Sequence, residues 1–187
     1  IEELMERIRL PGEAREPVQK ERSAEEEYEV WKDKVYQDIR QFIGEWKKMD
    51  GKYVWALEFY LKLAMDTYEE YQERGYTDQV FDETFYDITI WCRECYRKHG
   101  VYGLDELWWL GQSVKLKLFR LGRLQFEPIL VKKDMKGREQ TIQAGTKALN
   151  VHIPEGEPLK MEACRESFGR AEEFFGREYQ VYVCDSW

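Results

Sequence analysis

Five polar side chains recur at every second position in two short segments of the C-terminal third, and they are Arg123, Gln125, Glu127, Asn150 and His152. Alternate residues of a strand share one face, so two neighbouring strands would gather these side chains on one sheet surface. A histidine beside a carboxylate forms a general base with its orienting group, which assigns catalysis to Glu127 and His152. The alternative interpretation is an exposed sheet face whose cross-strand ion pairs contribute little stability.

The second of these segments belongs to a predicted strand, helix and strand. Residues 148–153 are a short apolar and β-branched run, as expected for a strand. Apolar residues then recur at three- and four-residue steps over residues 161–175, which predicts an amphipathic helix that Gly176 ends in a left-handed conformation. Residues 179–184 predict another strand, and such a unit favours a right-handed parallel crossover.

The first segment lies in a region of alternating pattern. Residues 119–131 alternate between apolar and polar side chains and predict one strand, in which Gly122 marks a bulge. Residues 134–138 have the composition of a hairpin turn, and residues 139–143 would return antiparallel. A sheet is therefore expected to fill the C-terminal third.

The preceding residues have the periodicity of helices. One long helix is predicted over residues 28–46, and a second helix is predicted to stop at Gly75. A third helix begins at the N-cap Thr77 and ends at Gly100, and a fourth reaches Val114. Short connections favour antiparallel neighbours, so these helices predict a compact bundle.

The fold class expected from this pattern is α+β, with an N-terminal helical bundle packed on a mixed sheet that has a βαβ crossover at its C-terminal end. Residues 1–117 are the predicted helical region and residues 118–187 the predicted α/β region. Residues 13–27 are almost wholly charged or polar and predict a flexible connector.

Composition excludes several classes of protein. Hydrophobic residues make up 43% of the chain and aromatic residues 15%, which indicates a globular protein. The formal net charge of −8 argues against nucleic-acid binding. No apolar run approaches the ~18 residues that a membrane helix needs, and the acidic first residues are not a signal peptide, so a cytoplasmic protein is expected. The chain lacks an initiating Met, which suggests that it starts inside a longer protein.

Cysteines and tryptophans offer weaker signals. Cys92 and Cys95 share an apolar helix face, and no second Cys or His pair follows at zinc spacing, so both are expected in the core and no metal site is predicted. Trp108 and Trp109 cannot share a helix face, so one of them is expected at an interface between bundle and sheet or at a ligand.

A hydrolase is the third and weakest hypothesis. Cys184, Asp185 and Ser186 follow the last predicted strand and would need His152 as a base. The chain has no Gly-x-Ser-x-Gly elbow, which argues against this interpretation.

Two motifs resemble a known family. Residues 118–127, read LFRLGRLQFE, and residues 149–154, read LNVHIP, are similar to a bacterial family of uncharacterised acyltransferase-domain proteins with an N-terminal helical region and a GNAT-like C-terminal domain. The resemblance spans most of the chain from about Val54 onward. It implies a GNAT-like fold and transfer of an acyl group from acetyl-CoA or another acyl-CoA to an unknown amine acceptor.

The resemblance also implies where the ligands bind. In that superfamily two parallel strands splay apart to admit the pantetheine arm, and here residues 149–153 and 181–184 would be those strands. The implied cofactor-binding residues are Val151, Ile153, Gly156 and Lys160. The substrate-binding residues expected from the residues themselves are Arg123, Gln125 and Asn150 on the polar sheet face, together with Trp108.

The loop after residue 153 departs from the family pattern. Active members usually present a Gln/Arg-x-x-Gly-x-Gly/Ala loop whose N–H groups face the pyrophosphate, whereas this chain has Glu155, Gly156, Glu157 and Pro158. Two carboxylates repel a pyrophosphate, proline has no N–H, and Lys160 compensates only in part. The chain also stops before the later helix that often supplies a tyrosine acid, so an incomplete GNAT unit is expected. A non-catalytic binding or scaffold protein is therefore the alternative function.

Overall fold

The structure is a computed structural model that describes residues 1–21, 24, 27–179 and 181–184. The chain divides into two compact units, Ile1–Leu116 and Lys117–Trp187. Nowhere in the described residues does a helix combine the length and the apolar character that a membrane crossing requires. The helices described in the N-terminal unit are α1 (Glu2–Arg7), α2 (Gly12–Glu21), α3 (Tyr28–Gln37), α4 (Ile39–Trp46), α5 (Lys52–Glu73), α6 (Asp78–His99) and α7 (Trp108–Val114).

The two longest helices, α5 and α6, bury aromatic side chains such as Phe59 and Phe81 in the core of this unit. The Oγ1 atom of Thr77 accepts a hydrogen bond from the backbone N–H of Val80 at 3.4 Å and caps the start of α6. Gly100 ends the same helix with φ +70°, a conformation that glycine adopts at low cost. Both helix-end signals predicted from the sequence are confirmed.

The flexible connector expected over residues 13–27 is wrong up to residue 21, because α2 occupies residues 12–21, and most of the remainder lies outside the described residues. Ala14 and Val18 lie one helical turn apart and are both buried, and the guanidinium Nε of Arg15 donates to the carbonyl oxygen of Leu10 at 2.9 Å. Pro17 lies inside the helix. The charged composition concealed this helix, because only two of its apolar side chains are buried.

The single long helix predicted over residues 28–46 is interrupted at Asp38. This residue has φ −148° and ψ 88°, which are extended values, and its Oδ1 atom accepts hydrogen bonds from the N–H groups of Arg40 and Gln41 at 3.0 Å each. Asp38 is therefore the N-cap of α4, and the apolar stripe continues across the break.

A mixed sheet organises the C-terminal unit. Its described strands pair in the order β1-β2-β5-β6, and β3 and β4 form a separate two-stranded ribbon. Neighbours in the sheet are antiparallel except for β5 and β6, which are parallel. The α+β class and the strand, helix and parallel strand are confirmed. The elements are β1 (Phe119–Leu121), β2 (Leu124–Leu130), β3 (Met135–Lys136), β4 (Thr141–Ile142), β5 (Lys147–His152), α8 (Met161–Phe175) and β6 (Val181–Val183).

The segment predicted as one bulged strand is a hairpin. Leu121 pairs with Leu124 across a two-residue loop, and Gly122 has φ +74° in that loop. The glycine therefore reverses the chain between β1 and β2 instead of bulging one strand. The turn predicted at residues 134–138 is also displaced, because β3 lies inside that range.

Helix α8 covers one face of the sheet. The ring centroid of Phe168 lies 5.8 Å from that of Phe126 and 5.0 Å from that of Tyr182. Gly176 ends α8 with φ +69° and ψ −166°, so the predicted positive φ is present but the conformation is not the left-handed helical one. Since Phe126 faces α8, its neighbours Gln125 and Glu127 point to the opposite face of the sheet.

Candidate functional site

The register of β2 and β5 brings the predicted polar residues together. Gln125 lies opposite His152, and Glu127 lies opposite Asn150. Residues directly opposite in an antiparallel pair share a face, so these four side chains occupy the sheet face away from α8. The parity argument from sequence therefore located this cluster, and only Arg123 departs from it.

Two side chains converge on a single carboxylate oxygen of Glu127. The imidazole Nε2 of His152 lies 3.0 Å from Oε2, and the amide Nδ2 of Asn150 donates to the same oxygen at 3.4 Å. The His152 side chain is 17% exposed and the Glu127 side chain 29% exposed. Among the described residues no hydrogen bond reaches the other oxygen, Oε1. One oxygen of this carboxylate is thus held in place, while the other is available to a ligand.

The hydrogen between His152 and Glu127 can be assigned from chemistry. An ionised carboxylate only accepts hydrogen bonds, so Nε2 of His152 must carry the hydrogen in this contact. A fixed donor on Oε2 orients the carboxylate. The arrangement suits Glu127 to receive a proton and His152 to position it.

Strand β5 extends beyond its parallel partner. The pairing of β5 with β6 runs from Ala148–Val181 to Asn150–Val183, and Cys184 lies outside the strand. Val151 and His152 continue β5 past this last pair. The two strands that were expected to splay apart are therefore paired over all of β6, and the described pairing ends one residue short of Val151.

The backbone of Val151 faces the β6 side of the sheet. The N–H of Val131 donates to the carbonyl of Thr146 at 2.9 Å. This hydrogen-bonded pair continues the β2–β5 register by one position beyond Leu130–Lys147. Hydrogen-bonded pairs recur at every second position of an antiparallel ladder, which makes Glu127–Asn150 such a pair and Phe126–Val151 not one. The peptide groups of Val151 consequently point away from β2.

The loop after β5 is anchored by Arg123. This residue precedes β2, and its guanidinium donates from Nη1 to the carbonyl of Pro154 at 2.9 Å and from Nη2 to the carbonyl of Glu157. The sequence placed Arg123 on the polar face with Gln125, but the hairpin turn sends its side chain to this loop instead. Its predicted contact with substrate stays a prediction.

The predicted cofactor residues lie along the same loop. Ile153 is 54% exposed, and Gly156 is exposed with φ +113°, a conformation that only glycine adopts readily. Lys160 is exposed and precedes the first turn of α8, where no side chain caps the helix. A helix start attracts negative charge, and Lys160 adds to this effect.

Other predicted residues lie elsewhere. Trp108 belongs to α7 in the N-terminal unit, is 38% exposed and has the guanidinium carbon of Arg40 5.8 Å from its ring centroid. Its role in substrate binding stays a prediction. Asp185 and Ser186 of the hydrolase hypothesis lie outside the described residues, and Cys184 is exposed.

Cys92 and Cys95 are buried in α6, and burial raises the pKa of each thiol to about 12. A thiol with so high a pKa carries almost no thiolate at neutral pH, so neither is a nucleophile. Within the described residues no group of three or more His, Cys, Asp or Glu side chains is placed to hold a metal ion.

Ser167 is the residue of this region that sequence reasoning missed. It is fully buried on α8, and its Oγ accepts hydrogen bonds from the backbone N–H groups of Arg123 and Leu124 at 2.9 and 3.3 Å. These bonds fix the β1–β2 turn on the helix and thereby the position of the Arg123 side chain. The sequence contained one signal for this role, because Ser167 lies on the apolar stripe of the helix predicted over residues 161–175.

Two family descriptions match the chain in tandem. The family described as N-acyltransferase N-terminal domain matches residues 1–116, and the family described as GNAT-like C-terminal domain matches residues 118–187. The change from one match to the other coincides with the division into two compact units. No curated protein matches the chain.

Solved structures of similar fold are acyltransferases. One, an acyltransferase in complex with decanoyl-CoA and teicoplanin, has a TM-score of 0.69 at 24% identity and covers 95% of this chain and 56% of its own. Another, an acyltransferase in complex with CoA and 10C-Teicoplanin, has a TM-score of 0.55 at 31% identity over 66% of this chain and 35% of its own. The first likeness shows a shared fold, and this chain spans little more than half of that protein's length.

Proposed function

Because this chain belongs to the family in which an N-acyltransferase N-terminal domain precedes a GNAT-like C-terminal domain, we propose that it is an acyl-CoA-dependent N-acyltransferase. The observation that carries the proposal is the Glu127 carboxylate, with Oε2 held by His152 and Asn150 and Oε1 open. Such a carboxylate is a positioned general base for an amine.

The proposed reaction transfers an acyl group to nitrogen. The amine attacks the carbonyl carbon of the thioester, the new C–N bond forms, and the proton of the attacking nitrogen passes to Glu127. The C–S bond then breaks, and the thiolate of coenzyme A leaves with the electron pair. His152 keeps the carboxylate oriented throughout through Oε2.

The donor would lie along the end of β5. Val151 remains the proposed contact for the thioester arm, because the carbonyl end of its backbone extends past the last described β5–β6 pair, Asn150–Val183. Ile153, Gly156 and Lys160 follow on the adjoining loop, where the start of α8 favours an anion. Similar folds bind CoA and decanoyl-CoA, which supports this donor class.

The acceptor is proposed to be an amine that contacts Gln125 and Asn150 beside Glu127. The similar acyltransferase in complex with decanoyl-CoA and teicoplanin supports an acceptor that binds beside the acyl donor, and this chain spans 56% of that protein. Trp108 and Arg123 remain proposed acceptor contacts.

The test measures donor binding first and transfer second. Calorimetry with CoA and decanoyl-CoA should give saturable heat, and chromatography should detect CoA release only when an amine is present. Glu127→Gln should keep donor binding and slow transfer by about 10² to 10⁴, whereas Glu139→Gln on the exposed ribbon should keep both. Absence of heat at millimolar cofactor with an intact chain would reject the proposal.

A non-catalytic binding or scaffold role is the second candidate. The exposed carboxylates of Glu155 and Glu157 in the loop before α8 favour it, because they repel the phosphates of coenzyme A. This role predicts that Glu127→Ala and His152→Ala leave any cellular function intact, which complementation of a deletion strain would reveal.

A further inference from the structure

The ribbon of β3 and β4, taken with the residues that lead into it, is strongly basic. Residues 132–138 hold four exposed cations, which are Lys132, Lys133, Lys136 and Arg138. None of the four forms an ion pair or a side-chain hydrogen bond with another residue that the structure describes. The same segment has two carboxylates, Asp134 and Glu139, and Asp134 accepts a hydrogen bond from the N–H of Ala144 at 2.9 Å. The ribbon therefore presents more positive charge than its own carboxylates balance.

This positive charge contrasts with the composition of the chain. The chain has 29 Lys and Arg residues against 37 Asp and Glu residues, a formal net charge of −8. Exposed cations contribute little to folding stability, but complementary charge across an interface steers a partner and selects against wrong ones. A cluster of unpaired cations on an acidic chain therefore indicates a partner with local negative charge.

The ribbon has a fixed shape before any partner binds. Across its tip, the N–H of Gly137 donates to the carbonyl of Gln140 at 2.9 Å. At its base, the N–H of Gly145 donates to the carbonyl of Val131 at 2.7 Å. A preformed surface loses little conformational freedom on binding, so more of the contact free energy appears as affinity.

The ribbon borders the sheet face that carries Glu127. Ile142 of β4 packs against a buried apolar cluster formed by Val131, Ala148 and Val183. Val183 lies beside Asn150 in the β5–β6 register, and Asn150 lies opposite Glu127 in the β2–β5 register. Residues paired in this way share a face, so the apolar cluster and Glu127 are on the same side of the sheet. A ligand that lies along this face from Glu127 reaches the ribbon at its other end.

The length of such a ligand follows from the chain itself. Lys133 is six positions after Glu127, and an extended chain of six residues spans at most about 20 Å. An extended polypeptide segment of about six residues therefore bridges the proposed base and the cations of the ribbon.

We infer that the ribbon binds an acidic segment of a polypeptide and that this polypeptide is the amine acceptor. The second part rests on the proposed function. The reactive amine lies at Glu127, and acidic residues about six positions away pair with Lys133, Lys136 and Arg138. The guanidinium of Arg138 can bind one carboxylate through two parallel hydrogen bonds.

A short acidic segment fits this surface better than an extended polyanion does. A membrane or a nucleic acid is negative over a much wider area than the ribbon covers. It would also meet the carboxylates of a chain with a net charge of −8, and charges within a Debye length of about 8 Å repel. An acidic segment of a few residues contacts the cations alone.

The first experiment measures binding to the full chain without an acyl donor. The probe is a fluorescein-labelled peptide in which four glutamates follow a single lysine at a distance of about six residues, and the reference peptide has glutamines in their place. Fluorescence anisotropy at low ionic strength should show about tenfold tighter binding of the acidic peptide. This difference should shrink in about 0.5 M salt, because salt screens exposed charges.

Two double variants locate the binding surface. Lys133→Gln combined with Lys136→Gln should weaken binding of the acidic peptide about three- to tenfold and leave the reference peptide unchanged. The matched control combines Lys48→Gln with Lys117→Gln, which removes the same charge from two exposed lysines outside the ribbon. All four lysines are exposed, so neither variant should disturb folding, and thermal melting checks this.

Three results would overturn the inference. One is equal affinity for the acidic and the reference peptide. Another is an equal loss in the two double variants, which would show a general effect of net charge. The third is binding to phosphatidylserine vesicles that only the ribbon variant loses, with no binding of the acidic peptide, which would identify a membrane-binding surface.

A transfer assay with decanoyl-CoA tests the acceptor role separately. The acidic peptide should have a lower KM than the reference peptide at equal kcat, and the ribbon double variant should remove this difference. Equal KM values would show that the bound polypeptide is not the acceptor. If the acidic peptide binds as expected but neither peptide is acylated, the proposed function fails while binding to the ribbon stands.

Discussion

The imidazole Nε2 of His152 lies 3.0 Å from Oε2 of Glu127 across two antiparallel strands. The pair is fixed by backbone register and not by flexible loops, because Glu127 and His152 both lie inside strands. A base on a rigid element keeps its geometry without reorganisation at the moment of reaction.

Glu127→Gln should reduce kcat for acyl transfer by about 10² to 10⁴, the usual contribution of a general base, while the KM for the acyl donor changes little. Glutamine keeps the shape and the hydrogen bonds of the side chain but cannot take a proton. Steady-state kinetics with calorimetric donor binding separate the two effects.

Asn150→Ser provides the graded comparison, because it loses one contact to Oε2 and leaves that of His152. Its kcat should fall about tenfold at most. If Glu127→Gln and Asn150→Ser reduced kcat equally, Glu127 would be a positioning residue and not the base.

The sequence located this pair because strand parity is a local property. Glu127, Asn150 and His152 follow from alternation once the two segments pair. Alternation did not predict the position of Arg123 correctly. This residue belongs to the two-residue hairpin loop and not to a strand, and its side chain donates to the carbonyl of Pro154. Loop conformation depends on distant partners such as Ser167, which no periodicity indicates.

The apolar periodicity also failed to predict where helices begin and end. The apolar stripe from Tyr28 to Trp46 has one period, yet Asp38 interrupts it by capping the following helix through its own side chain. Conversely, the charged run over residues 12–21 is helical because Ala14 and Val18 find a buried place in the core. A local side-chain cap decided the first case, and tertiary packing decided the second.

Ser167→Ala should lower the free energy of unfolding by about 1–3 kcal/mol, because it leaves two backbone N–H groups of the β1–β2 turn without their acceptor. Ser113→Ala is the matched control. That serine is equally buried, but its described hydrogen bond is to the carbonyl of Trp109 in its own helix, at 3.5 Å. Urea unfolding of both variants measures the difference, and equal losses would contradict the role of Ser167.

Thiol labelling at neutral pH should modify Cys184 and Cys164 and leave Cys92 and Cys95 unmodified. Cys184 is exposed and Cys164 is partly exposed, whereas burial raises the pKa of the two helix thiols to about 12. Mass spectrometry of chain treated with iodoacetamide, native and in denaturant, counts the modified sites. Rapid labelling of Cys92 in the native chain would show that α6 opens.

Glu106→Gln should stabilise the chain at pH 7 and have little effect at low pH. Burial raises the pKa of Glu106 above its ordinary value of 4.5, although its carboxylate accepts hydrogen bonds from the N–H groups of Trp108 and Trp109. The folded chain therefore holds this proton more tightly than the unfolded chain, and the wild type loses stability as the pH rises from about 4 through the raised pKa.

The glutamine variant keeps an acceptor oxygen for Trp108 and Trp109 but has no charge to bury, so its advantage over wild type should grow with pH. Solvent screening limits that advantage to less than about 1 kcal/mol. Glu94→Gln should instead destabilise the chain at neutral pH. The hydrogen bond from Arg97 lowers the pKa of Glu94 and stabilises the wild type there. Thermal melting of both variants between pH 4 and pH 7 compares them. Parallel pH profiles for the two variants would show that burial does not raise the pKa of Glu106.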